Sequence, residues 1–540
     1  MVSFYKHIQW ALILSVFLLP LLLSAQPKVI QTNEQGDVRN DYYINDIQKE
    51  RIQNKLLWNW VEQGFLYASM DSVGFNADTT FYNLWLGPKQ DLHKRTAKRL
   101  LRREKELSKY WNSGYPFAQM VPDSIYYSGE GKILTSFKIT KGPLILFDSL
   151  RVFGDVNYGK SYLHSAAGIK PLEEFSERRY QEISARLSKM KSARLKRTPD
   201  IGFAGGKATV ILNLEKQKAD KFEGILGILP SQESNTTEVT GYINLELNNL
   251  FRSGKQFYFN WNRFAPSAQS LDLHYGHPFF LQSPVELISN FSLLRQDSLF
   301  VKRDFSLTFS LPINQSIDFF MTLSTKASDI LGAEPDSNLG LDYRLTDYRP
   351  GLRVGNNLFN RSYLEGFQGQ LAFGFGDKQI RRNQLFPIEV YDTVRLRSSN
   401  YELDLSLSGQ KVVGSKMTLF SKLHVGLLEG QEILRNEFYR IGGLRSLRGF
   451  NENTFFAQRF GKLQSELRIF FESSSYLFAL IDLATIETAE DNFVTNSIGG
   501  GLSLQIESGH FEFVFAMGAI DQFAFDFQST KVHFGYSITF

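Results

Sequence analysis

The chain has 540 residues, of which 43% are hydrophobic, and its formal net charge is +4. A mean hydropathy of -0.22 excludes a bundle of membrane-spanning helices, because each such helix needs about 20 consecutive apolar residues. The small net charge argues against nucleic-acid binding, and the absence of cysteine excludes disulfides, thiolate metal sites and a lipidated N-terminal cysteine. The 47 Phe and 23 Tyr are typical of membrane strands with aromatic girdles.

The N-terminus carries one apolar stretch, which follows Lys6 and spans residues 8–23. A basic residue, a short apolar run and a small residue such as Ala25 at the cleavage point are the pattern of a secretory signal peptide. A short anchor helix is the alternative, but the run is brief and Pro20 interrupts it. We therefore predict that residues 1–25 are a signal peptide.

Residues 26–143 contain two similar segments, each with a helical run, a glycine, an aromatic residue and two strands. The helical runs are residues 47–61 and 92–112, and they are followed by Gly64 and Gly114. The repeated order predicts one or two degenerate copies of the module described next.

Residues 144–219 form the clearest module of the first half. One strand, two helices and two strands are expected at residues 146–152, 162–167, 175–190, 194–203 and 208–214. This order predicts a small α+β domain whose helices pack on one face of its sheet.

From about residue 220 onward, polar and apolar residues alternate. Residues 305–311 read Phe, Ser, Leu, Thr, Phe, Ser, Leu, and residues 401–407 have a similar pattern, as expected of strands with one wet face. Short turns alternate with long connections, of which residues 428–457 are the longest. We predict an all-β transmembrane barrel of about 16 antiparallel strands over residues 220–540. A soluble β-sandwich is the alternative, but it would not favour Phe and Tyr so strongly.

The last predicted strand ends on a stripe of large apolar side chains. They are Phe534, Tyr536, Ile538 and Phe540. In a closing strand such a stripe faces lipid. It also predicts a recognition signal, because an outer-membrane insertase can pair with the exposed edge of this strand by β-augmentation.

The most unusual connection is the loop over residues 438–450. Its turn residues and its apolar end are Gly442, Gly443, Gly449 and Phe450. The glycines permit turns with positive φ, whereas the many apolar residues do not suit a solvated loop. We predict that the loop folds into the barrel lumen and that Arg448 reaches a carboxylate on the wall.

Strand parity identifies carboxylates on the wall that follows this loop. Glu466 lies on the same face as Arg468, opposite the apolar face of its strand, and Asp482 points inward on the next strand. The turn between them is centred near residue 473.5, which places Glu466 and Asp482 almost opposite each other. Two close carboxylates repel, and a guanidinium bridges them better than an ammonium does. Arbitrary pairing of polar lumen residues is the alternative for either carboxylate alone.

These features resemble the superfamily of outer-membrane assembly and secretion barrels with POTRA domains. The resemblance rests on the glycine-rich loop that ends in Arg448, Gly449 and Phe450, on the aromatic end of the last strand and on small α+β modules before the barrel. The barrel assembly insertase, the translocation and assembly module and two-partner secretion transporters belong to this superfamily. It implies that Arg448 meets acidic residues in the lumen, and Glu466 and Asp482 stand at the matching positions.

The resemblance implies insertion or translocation of β-rich client polypeptides at the bacterial outer membrane, with the N-terminal arm in the periplasm. Clients would enter at a weak seam between the first and last strands, here residues 222–229 and 531–540. Expected partners are outer-membrane lipids, unfolded outer-membrane or secreted client proteins, and accessory periplasmic or lipoprotein subunits. The arm is shorter than that of the main insertase, so a general assembly factor and a dedicated transporter both remain open. A passive channel for small solutes is the alternative, against which the arm argues.

Other chemistry has little support in the sequence. The eight histidines are scattered, and no Ser/His/Asp set shares a predicted face, so we expect no catalytic site. No metal-binding spacing, phosphate loop or dinucleotide motif occurs, so we expect no metal and no cofactor. Residues 94–109 are rich in Lys and Arg. A solvated helix face explains them more simply than binding of lipid headgroups or an acidic partner.

Overall fold

The structure is a computed structural model. It describes residues 28–33, 38–42, 60–61, 63–65, 68–76, 79–128, 132–230, 237–265, 268–296, 299–314, 316–332, 340–355, 364–488, 490–506, 509–521, 526–527 and 530–539. The expected signal peptide, residues 1–25, and Phe540 lie outside the described residues. Among the helices of the described part, none is both long enough and apolar enough to cross a membrane. The chain divides between Gln217 and Lys218 into two compact units.

The first unit opens with a four-stranded sheet. Its strands are β1 (Lys28–Asn33), β2 (Val38–Tyr42), β3 (Ser69–Asn76) and β4 (Thr79–Trp85), in the order β2-β1-β4-β3. β1 runs parallel to β4, whereas the two outer pairs are antiparallel. Trp60, Leu84 and Leu86 form a buried cluster. The end of the helical run predicted over residues 47–61 therefore packs against β4, and most of that run lies outside the described residues.

Two helices and a two-stranded sheet follow. They are α1 (Lys94–Leu101), α2 (Arg103–Trp111), β5 (Gln119–Tyr127) and β6 (Ile133–Thr140). The helical run predicted over residues 92–112 is interrupted at Arg102, whose backbone N–H donates to the carbonyls of Arg99 and Leu100. β5 and β6 are antiparallel, and an isolated parallel bridge joins Leu92 to Ile133.

The last module of this unit has the predicted order of elements. They are β7 (Leu146–Phe153), α3 (Lys160–Ala167), α4 (Glu177–Leu187), β8 (Ala193–Leu195), β9 (Asp200–Ala204) and β10 (Lys207–Lys216). β10 pairs with β7 in parallel and with β8 and β9 antiparallel. The single strand predicted over residues 194–203 is thus two short strands, since Pro199 has no N–H to continue the ladder.

The second unit is built from long strands that form one wall. In chain order the wall strands are β11 (Lys221–Pro230), β12 (Thr237–Leu250), β13 (Lys255–Ala265), β14 (Ala268–His277), β15 (Glu286–Gln296), β16 (Phe300–Pro312), β17 (Ile317–Ile330), β18 (Tyr343–Gly355), β19 (Gly366–Ile380), β20 (Arg397–Gly414), β21 (Met417–Gly430), β24 (Arg459–Phe470), β25 (Tyr476–Glu487), β26 (Asn492–Ile506), β27 (Gly509–Ile520) and β28 (Lys531–Thr539). β22 (Tyr439–Ile441) and β23 (Phe455–Ala457) form a small antiparallel hairpin between β21 and β24.

The wall strands close into a barrel. Each pairs with the next, and β28 pairs back to β11, so the predicted barrel of sixteen antiparallel strands is confirmed. On β16 the side chains alternate as the sequence predicts, with Phe305 and Phe309 exposed outward and Thr308 and Ser310 buried inward. An apolar outer face around a polar interior is the arrangement of a membrane barrel.

Candidate functional site

The connection between β21 and β24, residues 431–458, crosses the inside of the barrel, and we name it the lumen loop. Its Arg445 Nη2 lies 3.5 Å from Glu223 Oε2 on β11. Its Tyr439 hydroxyl donates to Glu402 on β20 over 3.2 Å. Because β11 and β20 are separated by eight strands in one direction around the wall and by six in the other, a loop that contacts both spans the lumen.

Arg448 is the central anchor of the lumen loop. Its Nε and Nη2 donate to the two oxygens of Asp482 over 2.9 and 2.5 Å, and its backbone N–H donates to the same carboxylate over 3.1 Å. Its Nη1 donates to Glu466 Oε1. Asp482 is fully buried and Arg448 is 4% exposed, so these charge-assisted bonds are shielded from water. The structure therefore brings together the three side chains that the sequence singled out.

The electrostatics of Arg448 follow from this geometry. Burial alone would lower the pKa of Arg448, since it disfavours the charged form. Hydrogen bonds and charge from Asp482, and then from Glu466, act in the opposite direction and leave the pKa of Arg448 above its ordinary value. The guanidinium is a permanent cation shared by the carboxylates of Asp482 and Glu466.

Glu466 has a second cationic partner that the sequence analysis did not single out. Arg468 donates from Nε and Nη2 to Glu466 over 2.8 and 2.7 Å, and from Nη1 to Gln410 over 2.7 Å. Its guanidinium also stacks on Phe420, 4.1 Å from the ring centroid. Parity had already placed Arg468 on the same face as Glu466, so the signal for this partner was present in the sequence.

The register of β24 and β25 corrects one expectation. Asp482 lies opposite Gln464, and Glu466 lies opposite Leu480, so the two carboxylates are diagonal neighbours and not directly opposed. The reason is the turn: the last pair is Phe470 with Tyr476, which centres the turn on residue 473. Both carboxylates still face inward, and Arg448 bridges the diagonal.

Glycines set the path of the lumen loop. Gly442, Gly443 and Gly449 all have positive φ, at 128°, 93° and 85°, which side chains resist. A Cβ on Gly443 would overlap the carboxylate of Glu452, which accepts a hydrogen bond from the N–H of Leu444 over 3.0 Å. These turns reverse the chain so that Arg448 can point at the wall.

The apolar residues of the loop bury one another against the wall. Ile441, Leu447, Phe455 and Ala457 of the loop form one cluster with wall residues that include Phe460. Phe450 packs edge-on against Phe455, with 5.0 Å between ring centroids. This burial explains why an apparently surface loop carries so many apolar side chains.

The end of the lumen loop, at Gly449 and Phe450, packs against Gly518 on β27. Neither glycine has a side chain to keep the two backbones apart. A Cβ on Gly518 would lie 2.6 Å from the Phe450 ring, and a Cβ on Gly449 would lie 2.7 Å from the backbone nitrogen of Gly518. The two glycines therefore allow the loop and the wall to approach at backbone distance. Gly518 was not identified from the sequence, since its partner lies in a loop whose docking the sequence does not specify.

The start of the lumen loop has an anchor of its own. Glu437, at the end of a 3-10 turn over Arg435–Glu437, accepts from Lys378 Nζ over 2.5 Å and from Asn400 Nδ2 over 2.6 Å. Lys378 also donates to the carbonyl of Glu432. Both wall residues are buried, so these contacts are shielded from water and tie the start of the loop to the wall.

The first and last wall strands meet over a short seam. β11 and β28 share three register pairs among the described residues, from Lys221 with Thr539 to Glu223 with Ser537. β11 shares ten pairs with β12, and β28 shares seven with β27. The residues of the predicted terminal signal lie on β28: Phe534 and Ile538 are exposed, and Tyr536 packs on Phe511.

The described residues contain no cluster of three or more His, Asp or Glu side chains suited to hold a metal ion. The titratable groups around Arg448 are committed to ion pairs with one another. These ion pairs hold the lumen loop against the wall of the barrel.

The fold is a closed sixteen-stranded barrel with a short seam and with a lumen loop held by an arginine. No family model matches the sequence, and no curated protein matches it. Among solved structures, CdiB from Escherichia coli is similar with a TM-score of 0.56 at 14% identity, over 83% of this chain and 85% of that one. CdiB from Acinetobacter baumannii matches with a TM-score of 0.55 at 14% identity, over 82% of each chain.

BamA from Haemophilus ducreyi lacking POTRA domains 1-3 also matches, with a TM-score of 0.46 at 14% identity, over 84% of this chain and 94% of that one. At such identities the two CdiB structures establish the fold of this chain. The fold that the resemblance implied is confirmed.

Proposed function

We propose that this protein inserts or translocates β-rich client polypeptides at the outer membrane, using the seam between β11 and β28 as the entry point. The observation that carries the proposal is the seam itself. In the described part of the chain, three register pairs join these two strands, against ten on the other side of β11. We infer that a third strand pairs by β-augmentation with the parts of both strands that lie beyond those pairs.

The lumen loop supports this proposal by bracing the wall beside the seam. Arg445 contacts Glu223, the last residue of β11 that pairs with β28, while Arg448 is tied to β24 and β25. The loop would hold β24 and β25 in place through Arg448 while the seam is opened. It also occupies the lumen, which disfavours the alternative of a wide passive channel.

The remaining parts of the chain fit the same proposal. The small α+β modules before the barrel would lie in the periplasm and receive unfolded clients at their sheet edges, where recognition through the backbone tolerates many sequences. Outer-membrane lipids would contact the apolar outer face, and accessory periplasmic or lipoprotein subunits would bind the arm. We propose a protein without cofactor or covalent chemistry, since strand exchange at a seam needs neither.

The test is a reversible disulfide crosslink across the seam between β11 and β28. Phe222 and Ile538 are register partners that both face outward, and the chain has no cysteine. The double substitution Phe222→Cys with Ile538→Cys should therefore form a single disulfide without disturbing the lumen. In a host depleted of the native protein, we expect the oxidised double variant to lose client assembly or secretion and the reduced one to restore it. Quantitative proteomics of the outer membrane and of secreted proteins measures the loss.

The matched control is a disulfide crosslink between two other strands of the same wall. Leu467 and Ala479 pair across β24 and β25 and also face outward, so Leu467→Cys with Ala479→Cys adds a disulfide that leaves the seam free. We expect client levels to stay normal in this variant. Normal client levels in the oxidised seam variant would overturn the proposal, whereas a broad or a single-protein loss would distinguish a general assembly factor from a dedicated transporter.

A further inference from the structure

A second polar site lies in the lumen, away from Arg448. It is a cavity of about 220 Å³ between the start of the lumen loop and the wall. Its lining side chains come from β16, β17, β18, β20 and β21 and from the loop, and those that matter here are Lys302, Lys326, Tyr343, Glu402, Glu437 and Arg440. A water molecule needs about 10 to 15 Å³ by this kind of measure, so the space accommodates a polyatomic ligand.

Arg440 presents unused donors to this cavity. Its guanidinium is stacked against the ring of Phe456, 3.3 Å from the centroid, and the ring of Phe300 lies 5.5 Å away. Nη1 and Nη2 are buried, and among the described residues neither has a hydrogen-bond acceptor. Buried guanidinium N–H groups without acceptors are costly. Stacking fixes the plane of the guanidinium, so its donor edge is oriented in advance.

The carboxylates beside the cavity are committed to other partners. Glu402 is 3.0 Å from Lys326 and 3.2 Å from Arg349, and it accepts from the Tyr439 hydroxyl. Glu437 is bound by Lys378, by Asn400 and by the N–H of Leu434. Neither carboxylate bonds to Arg440, although both line the same cavity.

Two further donors line the cavity. Lys302 makes no ion pair within 4.0 Å among the described residues, and the nearest acid along its strand, Asp304, does not line the cavity. The hydroxyl of Tyr343 is fully buried and has no described hydrogen-bond partner. Arg440, Lys302 and Tyr343 therefore supply donors from the loop and from two wall strands around one space.

We propose that this cavity is a binding site for a phosphate group, held by Arg440, Lys302 and Tyr343. A guanidinium binds two oxygens of a phosphate side by side. Donors that converge from three elements suit a tetrahedral anion, whose oxygens point in several directions, better than a planar carboxylate. The inference does not depend on the proposed function of the barrel.

The charge of Arg440 is consistent with an anion as ligand. Burial and then the nearby cation of Arg435 lower the pKa of Arg440 to about 9. The guanidinium still carries its proton at neutral pH, and no described carboxylate lies within ion-pair distance of it, since Glu402 and Glu437 are bound to other partners. A bound anion would pair with this guanidinium directly.

The phosphate group could be that of a small soluble phosphate or that of a lipid headgroup, and the test separates the two. The full chain in detergent is titrated with sodium phosphate at constant ionic strength, and separately with micelles that contain phosphatidic acid. Isothermal titration calorimetry measures both, and phosphorus NMR line broadening checks the first. We expect saturable binding of at least one probe by the native chain.

The variants decide whether the cavity is responsible. Arg440→Gln and Lys302→Gln should weaken binding about tenfold to a hundredfold, as expected for the loss of a charged hydrogen bond. Tyr343→Phe should weaken it several-fold, and because it keeps the buried ring it remains informative if Arg440→Gln does not fold.

Arg435→Gln is the matched control, because Arg435 is on the same loop and also lies over Phe456, at 5.2 Å, but does not line the cavity. It should bind within about twofold of the native chain. Binding of neither probe, or equal binding by the Arg440→Gln and native chains, would overturn the proposal. Binding of phosphatidic acid alone would assign the site to a lipid.

Discussion

The Arg448→Ala variant is expected to lose about 3 to 5 kcal/mol of unfolding free energy, because it leaves the buried carboxylate of Asp482 without its cation. Asp482 would keep the backbone N–H of residue 448 as a donor, and Glu466 would keep Arg468. The loss should therefore fall on Asp482 above all, which is fully buried. Urea unfolding of the full chain in detergent, followed by circular dichroism, measures the change.

Arg445→Ala is the control for that experiment. Arg445 is on the same loop, but its side chain is 67% exposed and its contact with Glu223 is 3.5 Å long, so we expect a loss of at most about 1 kcal/mol. Arg448→Lys should fall between the two, since an ammonium keeps the charge but not the paired hydrogen bonds. Equal stability of the Arg448→Ala and Arg445→Ala variants would mean that the buried ion pairs do not hold the loop.

The Gly449→Ala variant is expected to undock the end of the lumen loop. Gly449 has a φ of 85°, which costs a side chain roughly 1 to 2 kcal/mol, and its new Cβ would lie 2.7 Å from the backbone nitrogen of Gly518. Overpacking typically adds about 1 to 3 kcal/mol, and a backbone atom in a wall strand cannot move aside. We expect a total loss of about 2 to 5 kcal/mol and faster trypsin cleavage of the loop.

Gly535→Ala is the matched control for the glycine experiment. Gly535 lies on β28, beside the strand that carries Gly518, and its nearest potential contact is 3.9 Å away. This variant should unfold and resist trypsin like the native chain. If Gly449→Ala also behaves like the native chain, the backbone of the loop at Gly449 is not in close contact with the backbone of the wall at Gly518.

The alternation of polar and apolar residues made the barrel predictable. On strands such as β16 and β25 one face is buried in the lumen and the other is exposed, so polarity alone predicts which way Phe305 and Thr308 point. The same logic selected Glu466 and Asp482 as inward-facing residues. Their relative register was missed by one residue, because the turn centre lies at residue 473 and not at 473.5, and a turn of five residues and one of four look alike in sequence.

The contacts of the lumen loop with distant strands could not be predicted from the sequence. Arg440 and Lys302 are 138 positions apart in the chain, and nothing local to either residue indicates that they line one cavity. The short seam could not be predicted from the sequence either. Periodicity identifies β11 and β28 as strands, but it does not say how many pairs they share. Such features depend on barrel closure, which is a property of all the strands together.

The path of the lumen loop has a consequence for how the barrel itself is assembled. Arg448 contacts residues 18 and 34 positions further along the chain, whereas Arg445 contacts a residue 222 positions earlier. The loop can therefore reach its final place only after β24 and β25 have formed and β11 has come round to meet them. Docking of the loop is a late step in folding, and contacts of such long range make folding slow.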